Sequence, residues 1–211
     1  MTEIYYTRIP EEITPASFTQ LLAEFPEPVQ RRIIGQKRRK KVYSRLFGYL
    51  LLKRILDDKY FPADLTTLTY QANGKPFISR LLDFNISHSG EMVACVVSDE
   101  LKVGIDVERM RTIDVASYSC CLNTSELEQI MARPNTVSAF YRLWTQKEAA
   151  VKADGIGLKM PMRTIQVDTQ RASWGSGQWY LQELQIDKDY VVHLASNAPM
   201  KKCNVRCIAL L

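Results

Sequence analysis

The stretch Val103-Gly104-Ile105-Asp106-Val107-Glu108 decides how this chain is read. Its apolar letters mark a strand. Alternate strand residues face one way, so Asp106 and Glu108 project side by side from an otherwise buried element. Carboxylates that close repel each other unless positive charge lies between them, and a hard divalent cation is the common solution. Gly104 leaves space for a ligand or another backbone to come near. A strand emerging into solvent with two acids at its end accounts for the same letters, so the rest of the chain has to decide.

The 211 residues are 46% apolar and 24% charged, which supports one substantial core or two small lobes. No apolar run approaches the roughly 20 residues of a bilayer span. Met1-Thr-Glu-Ile-Tyr-Tyr6 lacks the basic and then apolar pattern of an export signal. A cytoplasmic protein that keeps off membranes is expected. The cysteines (95, 120, 121, 203 and 207) are odd in number and unevenly spaced, as reduced apolar fillers are. Cys203-x3-Cys207 has no second pair with which to hold zinc.

The net charge of +5 is unevenly spread. From Val29 to Leu56 there is no acid, while Arg31, Arg32, the run Lys37-Arg-Arg-Lys-Lys41, Arg45, Lys53 and Arg54 fall there. Such a block favours an anionic partner. Nucleic acid is disfavoured, because the interleaved aromatics of a stacking platform are missing.

Periodicity predicts a strand at Glu3–Ile9, a helix starting at Thr14-Pro15, a short helix over Pro28–Ile34 and a long helix over about Lys37–Lys59. Leu65–Tyr70 reads as a strand and Asn73-Gly74 as a turn. Met92–Ser98 is an apolar strand; Ser98-Asp99-Glu100 reads as the turn of a hairpin whose return arm is the opening stretch. Asn123 starts a helix, and a second long helix runs from Thr136 to Asp154, ending at Gly155-Ile-Gly157. Segments at 165–167, 179–186, 190–196 and 205–210 read as an antiparallel meander. Each half has a long helix and strands in similar order. The expected fold is therefore α+β, with two α/β lobes at 1–103 and 104–211, each a small antiparallel sheet packed on a long helix.

Glu148 and Lys152 share a face of the second long helix, as i and i+4. A surface pair stabilising the helix is the plain reading. Combined with Asp106, Glu108, His88 and Lys75, however, three carboxylates would complete an oxygen shell for Mg²⁺, and the cations would neutralise phosphates. That is a site for chemistry at a pyrophosphate.

Asn85-Ile-Ser-His88-Ser-Gly90, Val103-Gly-Ile-Asp-Val-Glu108 and Phe140-Tyr-Arg-Leu-Trp-Thr-Gln-Lys-Glu-Ala-Ala-Val-Lys152 closely resemble the signatures of 4′-phosphopantetheinyl transferases. Gly74-Lys75-Pro76 and Gly155-x-Gly157-Leu158 also fit, and the match is dense over about 73–161. Size and order are those of the monomeric type that modifies carrier proteins of non-ribosomal peptide, polyketide and fatty-acid synthesis. The resemblance implies a pseudo-dimer of two similar lobes, with coenzyme A and Mg²⁺ in the cleft between them and an acidic apo carrier protein as partner. Asp106, Glu108 and Glu148 would bind the metal, one of them through water in some relatives. His88 would hold a coenzyme A phosphate, with Lys75, Gly74, Pro76, Ser87 and Ser89 at the nucleotide end. Glu148 would take the proton of the carrier serine, and Lys152 would assist departure of 3′,5′-ADP. Arg31, Arg32 and Arg45 would contact the 3′-phosphate. The family places Arg or Lys and then Ser or Thr at the start of the first long helix, whereas this chain reads Ser44-Arg45. The carrier would dock on about 112–123 and 155–186, where Ile113, Val115 and Tyr118 either contact it or pack on the C-terminal lobe.

Overall fold

A computed structural model describes residues 1–59, 65–71, 74–78, 82–157, 160–200 and 203–211. In chain order the elements are β1 (Thr2–Arg8), α1 (Pro15–Ala23), α2 (Glu27–Ile34), α3 (Arg39–Lys59), β2 (Thr69–Tyr70), β3 (Pro76–Phe77), β4 (Asp83–Ser89) and β5 (Met92–Ser98). Then follow β6 (Val103–Arg109), α4 (Thr124–Met131), α5 (Thr136–Asp154), β7 (Gln166–Val167), β8 (Arg171–Trp174), β9 (Gly177–Glu183), β10 (Tyr190–Ser196) and β11 (Asn204–Cys207). The predicted turn residue Asn73 and the motif residue Leu158 lie outside the described residues.

The chain forms two compact units, 1–100 with 203–211, and 101–202. In the first, the sheet runs β11-β1-β5-β4. The apolar face of α3, including Leu46, Phe47, Leu51 and Ile55, is buried with Tyr5, Val93, Cys95 and Val97. Thr14 caps α1 by accepting from Ser17 N–H, as its sequence predicts.

Three strand assignments differ from the expectation: of Leu65–Tyr70 only Thr69–Tyr70 is strand, because Leu65–Thr67 forms a 3₁₀ turn. β5 does not pair with β6; its two edges are taken by β1 and β4, so none is left. The hairpin is β4–β5 instead, closed by Gly90-Glu91 between the paired Ser89 and Met92. Gly90 has φ +58°, and no non-glycine described residue has positive φ, which fits a II′ turn with glycine first. The final strand leaves the meander as well. β11 pairs in parallel with β1, so this sheet is mixed rather than antiparallel, and 203–211 join the first unit. Glu3 on β1 is fully buried, and Asn204 on β11 donates to its Oε1 at 3.0 Å. A buried carboxylate needs such donors, and this one draws the C-terminal segment to β1.

In the second unit the sheet β6-β10-β9-β8-β7 is antiparallel, with α5 packed on β6 and β10. Ala149, Ala150 and Ala153 of α5 are buried with Ile165, Ala172 and Ala195. Gly155 ends α5 in the left-handed region at φ +83°. The space at Gly104 is taken by helix backbone: a Cβ there would stand 2.2 Å from Ala149 O and 2.3 Å from Ala153 N. Backbone cannot yield as a side chain can. Gly104→Ala should therefore cost about 3 kcal/mol or more, read from the urea midpoint at unchanged slope.

His193 on β10 is 2% exposed, and its Nδ1 lies 2.7 Å from Thr145 Oγ1 of α5. Burial, with a contribution from the Arg142 charge, lowers its pKa from 6.5 to about 4. The unfolded chain therefore takes up the proton first, and stability falls as pH drops from about 6.5 to about 4, by up to about 3 kcal/mol. Denaturation midpoints across that window should show this slope, and His193→Gln should flatten it.

Candidate active site

The chemistry-bearing residues of the second unit lie where α5 crosses β6. Asp106 is 3% exposed, and its Oδ1 accepts from Lys152 Nζ at 2.5 Å. Glu148, one turn before Lys152, is half-buried. Burial and then the Asp106 charge push the Glu148 carboxyl above its ordinary range, while Lys152 pulls it down. Lys152 thus pairs across to the strand acid, rather than making a surface pair along its own helix. Asp106 is the acid bonded to this ammonium, and the ammonium's charge also acts on Glu148. Glu108 is two residues on and half-buried. Among the described residues, no group of three or more His, Cys, Asp or Glu side chains is gathered closely enough to hold a metal ion.

Sequence reasoning missed Lys147. Its side chain is fully buried, with Nζ donating to Glu126 Oε2 at 2.7 Å and to Met162 O at 2.9 Å. Burial lowers its pKa, and Glu126 opposes that. Glu126 also closes a capping box with Asn123 at the start of α4. The signal was Asn123-x-x-Glu126, which was read as a cap but not as a counter-ion.

Of the two readings of Ile113, Val115 and Tyr118, the structure shows the packed one: they lie with Phe140, Trp144 and Val191. A groove of about 920 Å³ is lined by residues that include Gln129, Arg133, Arg142, Gln146, Asp168 and Glu183. Asp106, Glu108, Glu148 and Lys152 are not among its lining residues.

In the first unit, the Arg32 guanidinium lies over the Tyr70 ring, 3.2 Å from its centroid, and Arg45 Nη1 donates to Arg32 O at 3.2 Å. The Tyr70 hydroxyl is 2.5 Å from that of Tyr49. Burial and that hydrogen bond push the Tyr70 phenol up, against the charges of Arg32 and Arg45. Arg31 turns away to Glu27, at 3.4 Å. Ser44 is buried and donates to Lys40 O, so Arg45 is the nearer to the surface of the Ser44-Arg45 pair. Lys75, between Gly74 and Pro76, pairs with Asp83 at 2.8 Å. On β4, Ser87 is buried, His88 is exposed and Ser89 is half-buried.

Residues 102–203 match the family model described as the 4′-phosphopantetheinyl transferase superfamily. The chain is 32% identical over 171 residues to the 4′-phosphopantetheinyl transferase gsp of Aneurinibacillus migulanus, covering 80% of this chain and 72% of that protein. It is 31% identical over 131 residues to the transferase Sfp of Bacillus subtilis (strain 168), covering 59% and 58%. To the transferase AcpT of Salmonella typhi it is 36% identical over 141 residues, covering 64% and 65%. The chain belongs to the 4′-phosphopantetheinyl transferase superfamily, and is an enzyme of that kind.

The Glu126–Lys147 pair supplies a test of packing beside the active-site helix face. Glu126→Gln should destabilise by about 3 kcal/mol, because a buried ammonium loses its counter-charge. Adding Lys147→Met should recover most of that loss in chemical denaturation, which a merely local capping effect would not do.

Proposed function

We propose that this chain transfers 4′-phosphopantetheine from coenzyme A to a serine of an acidic apo acyl or peptidyl carrier protein, releasing 3′,5′-ADP. The observation that carries the reading is Lys152 held on buried Asp106 beside a Glu148 whose carboxyl is pushed up. Asp106, Glu108 and Glu148 are the residues that would hold Mg²⁺; when bound, the ion supplies positive charge to the pyrophosphate. Glu148, made more basic by burial, accepts the serine proton. The freed oxygen attacks the β-phosphorus, forming a P–O bond as the bond to 3′,5′-ADP breaks. Lys152 neutralises charge on the departing phosphate.

In the first unit, His88 holds a phosphate of coenzyme A. Gly74, Lys75, Pro76, Ser87 and Ser89 meet the nucleotide end, and Arg32 and Arg45 meet the 3′-phosphate with Arg31 close in sequence. The carrier docks on segments within 112–123 and 155–186. The pseudo-dimer reading rests on each unit having one long helix, α3 or α5, against its own sheet. No helix among the described residues is long and apolar enough to cross a membrane. We place the enzyme in the cytoplasm as a monomer without nucleic-acid partners.

The test incubates the protein with coenzyme A, Mg²⁺ and a panel of apo carriers, then weighs each carrier. At least one should gain a phosphopantetheine group. Chelating the metal or making Asp106→Ala should abolish the gain, and Glu148→Gln should slow it about 10²-fold or more. No gain with any carrier would sink the proposal; full activity of Asp106→Ala would sink the metal assignment.

A further inference from the structure

Cys120 and Cys121 carry no step of the proposed reaction. They follow a single 3₁₀ turn, Val115–Tyr118, and precede the Asn123 cap of α4. Their Sγ atoms are 3.6 Å apart; Cys120 is exposed, Cys121 is half-buried, and both are free thiols. The chain on either side is anchored. Tyr118 sets its ring against Phe140 and Trp144 of α5, and its carbonyl accepts from Cys121 N–H at 2.9 Å. Leu122 is buried, and Asn123 N–H donates to Glu126 Oε2 at 3.0 Å.

We propose that Cys120 and Cys121 form a modification site, a vicinal dithiol that a peroxide closes to an intramolecular disulfide. Exposed Cys120 attacks the peroxide and is oxidised to a sulfenic acid, releasing one water (from hydrogen peroxide). The Cys121 sulfur then displaces the sulfenic oxygen as a second water, forming the S–S bond. The two thiols lose two electrons, which the peroxide gains as its O–O bond breaks.

Adjacent Cα atoms stand about 3.8 Å apart across a trans peptide, closer than the roughly 4.4–6.8 Å usual for disulfides. Closure therefore needs a backbone shift at the pair. Strained, accessible disulfides have the more oxidising potentials of labile bonds, which makes this pair reversible rather than structural. The shift reaches Asn123 through Leu122. From there it runs through Glu126 Oε2, which also holds Lys147, and Lys147 directly precedes Glu148. The charges of Lys147 and Glu148 in turn reach the Cys121 thiol. An oxidised pair thus loosens the α4 cap and displaces the helix face that bears the reacting carboxylate.

The reduced full chain is treated with hydrogen peroxide and weighed intact. Loss of two hydrogens is expected, mapped to the peptide holding Cys120 and Cys121 and reversed by dithiothreitol; Cys120→Ser and Cys121→Ser should each abolish it. Phenylarsine oxide should bind that peptide through both sulfurs, about tenfold more weakly in either single variant. Amide exchange at Asn123 and Glu126 should quicken about tenfold on oxidation. A sulfinic acid or an intermolecular disulfide as the sole product would overturn the site, and unchanged exchange would overturn its route to Glu126. These measurements need no carrier, so they stand or fall apart from the transferase reading. Regulation of the reaction rests on that reading: oxidation should slow carrier modification about fivefold in the wild type and leave Cys120→Ser/Cys121→Ser unaffected. Equal rates for the reduced and disulfide forms of the wild type would overturn the regulation.

Discussion

The second unit depends on the approach of α5 to β6 over Gly104, where Ala149 O and Ala153 N occupy the place of a side chain. This contact fixes where helix and strand meet. Asp106 lies two residues beyond Gly104 and therefore on the same strand face. Glu148 and Lys152 each directly precede one of the two contacting alanines, one helical turn apart. Backbone packing thus brings the carboxylate and the ammonium together, and a larger residue at any of the three small positions would part them. The charged side chains alone could not choose that register, since many alignments of an acid-bearing strand and a helix would make an ion pair of equal worth.

Two lysines five residues apart on α5 point about 140° apart around the helix, and their surroundings give them different tasks. Lys147 is buried against Glu126 and a carbonyl, with its donors engaged by groups that do not react. Lys152 is partly exposed and meets one buried acid beside another. A buried ion pair gains little net stability over an apolar pair, so its value lies in fixing one arrangement. Lys147 holds the N-terminus of α4 and the turn at Met162 to the helix. Lys152 pairs with Asp106, and its charge pulls the neighbouring Glu148 carboxyl down against the effect of burial.

Helix limits were legible because caps and apolar periodicity are local. Thr136–Asp154 and the stop at Gly155 appear in the structure as read. The transferase family was legible from three motifs in order. Strand pairing was not, because one strand's sequence does not record which edges its neighbours occupy. Ser98-Asp99-Glu100 has hairpin letters, but β5 already lies between β1 and β4. The signal for the true hairpin was Ser89-Gly90-Glu91, whose glycine meets a II′ requirement. β11 was misplaced for a similar reason: its partner lies some 200 residues away, and only the need of buried Glu3 for a donor points to it. Lys147 was hidden because a lysine in a helix is usually solvated, and burial depends on the approach of α4. The sequence left Ile113, Val115 and Tyr118 open between partner contact and packing, because a loop of low periodicity does not record its burial; their apolar bulk covers Phe140 and Trp144.

The arginines of the basic block in the first unit are held in different ways. Arg31 is largely exposed and already faces Glu27, so its charge is partly spent on its own helix. Arg32 is held by the face of Tyr70, and Arg45 by the Arg32 carbonyl. A ring and a carbonyl orient a guanidinium without cancelling its formal charge, whereas a carboxylate does both. Within the acid-free stretch from Val29 to Leu56, Arg32 and Arg45 are positioned by neutral groups, whereas Arg31 and Lys53 meet acids outside it. By that criterion Arg32 and Arg45 keep more of their charge available than Arg31 does. Ser44 turns inward to Lys40 O, while Arg45 reaches the α2 backbone.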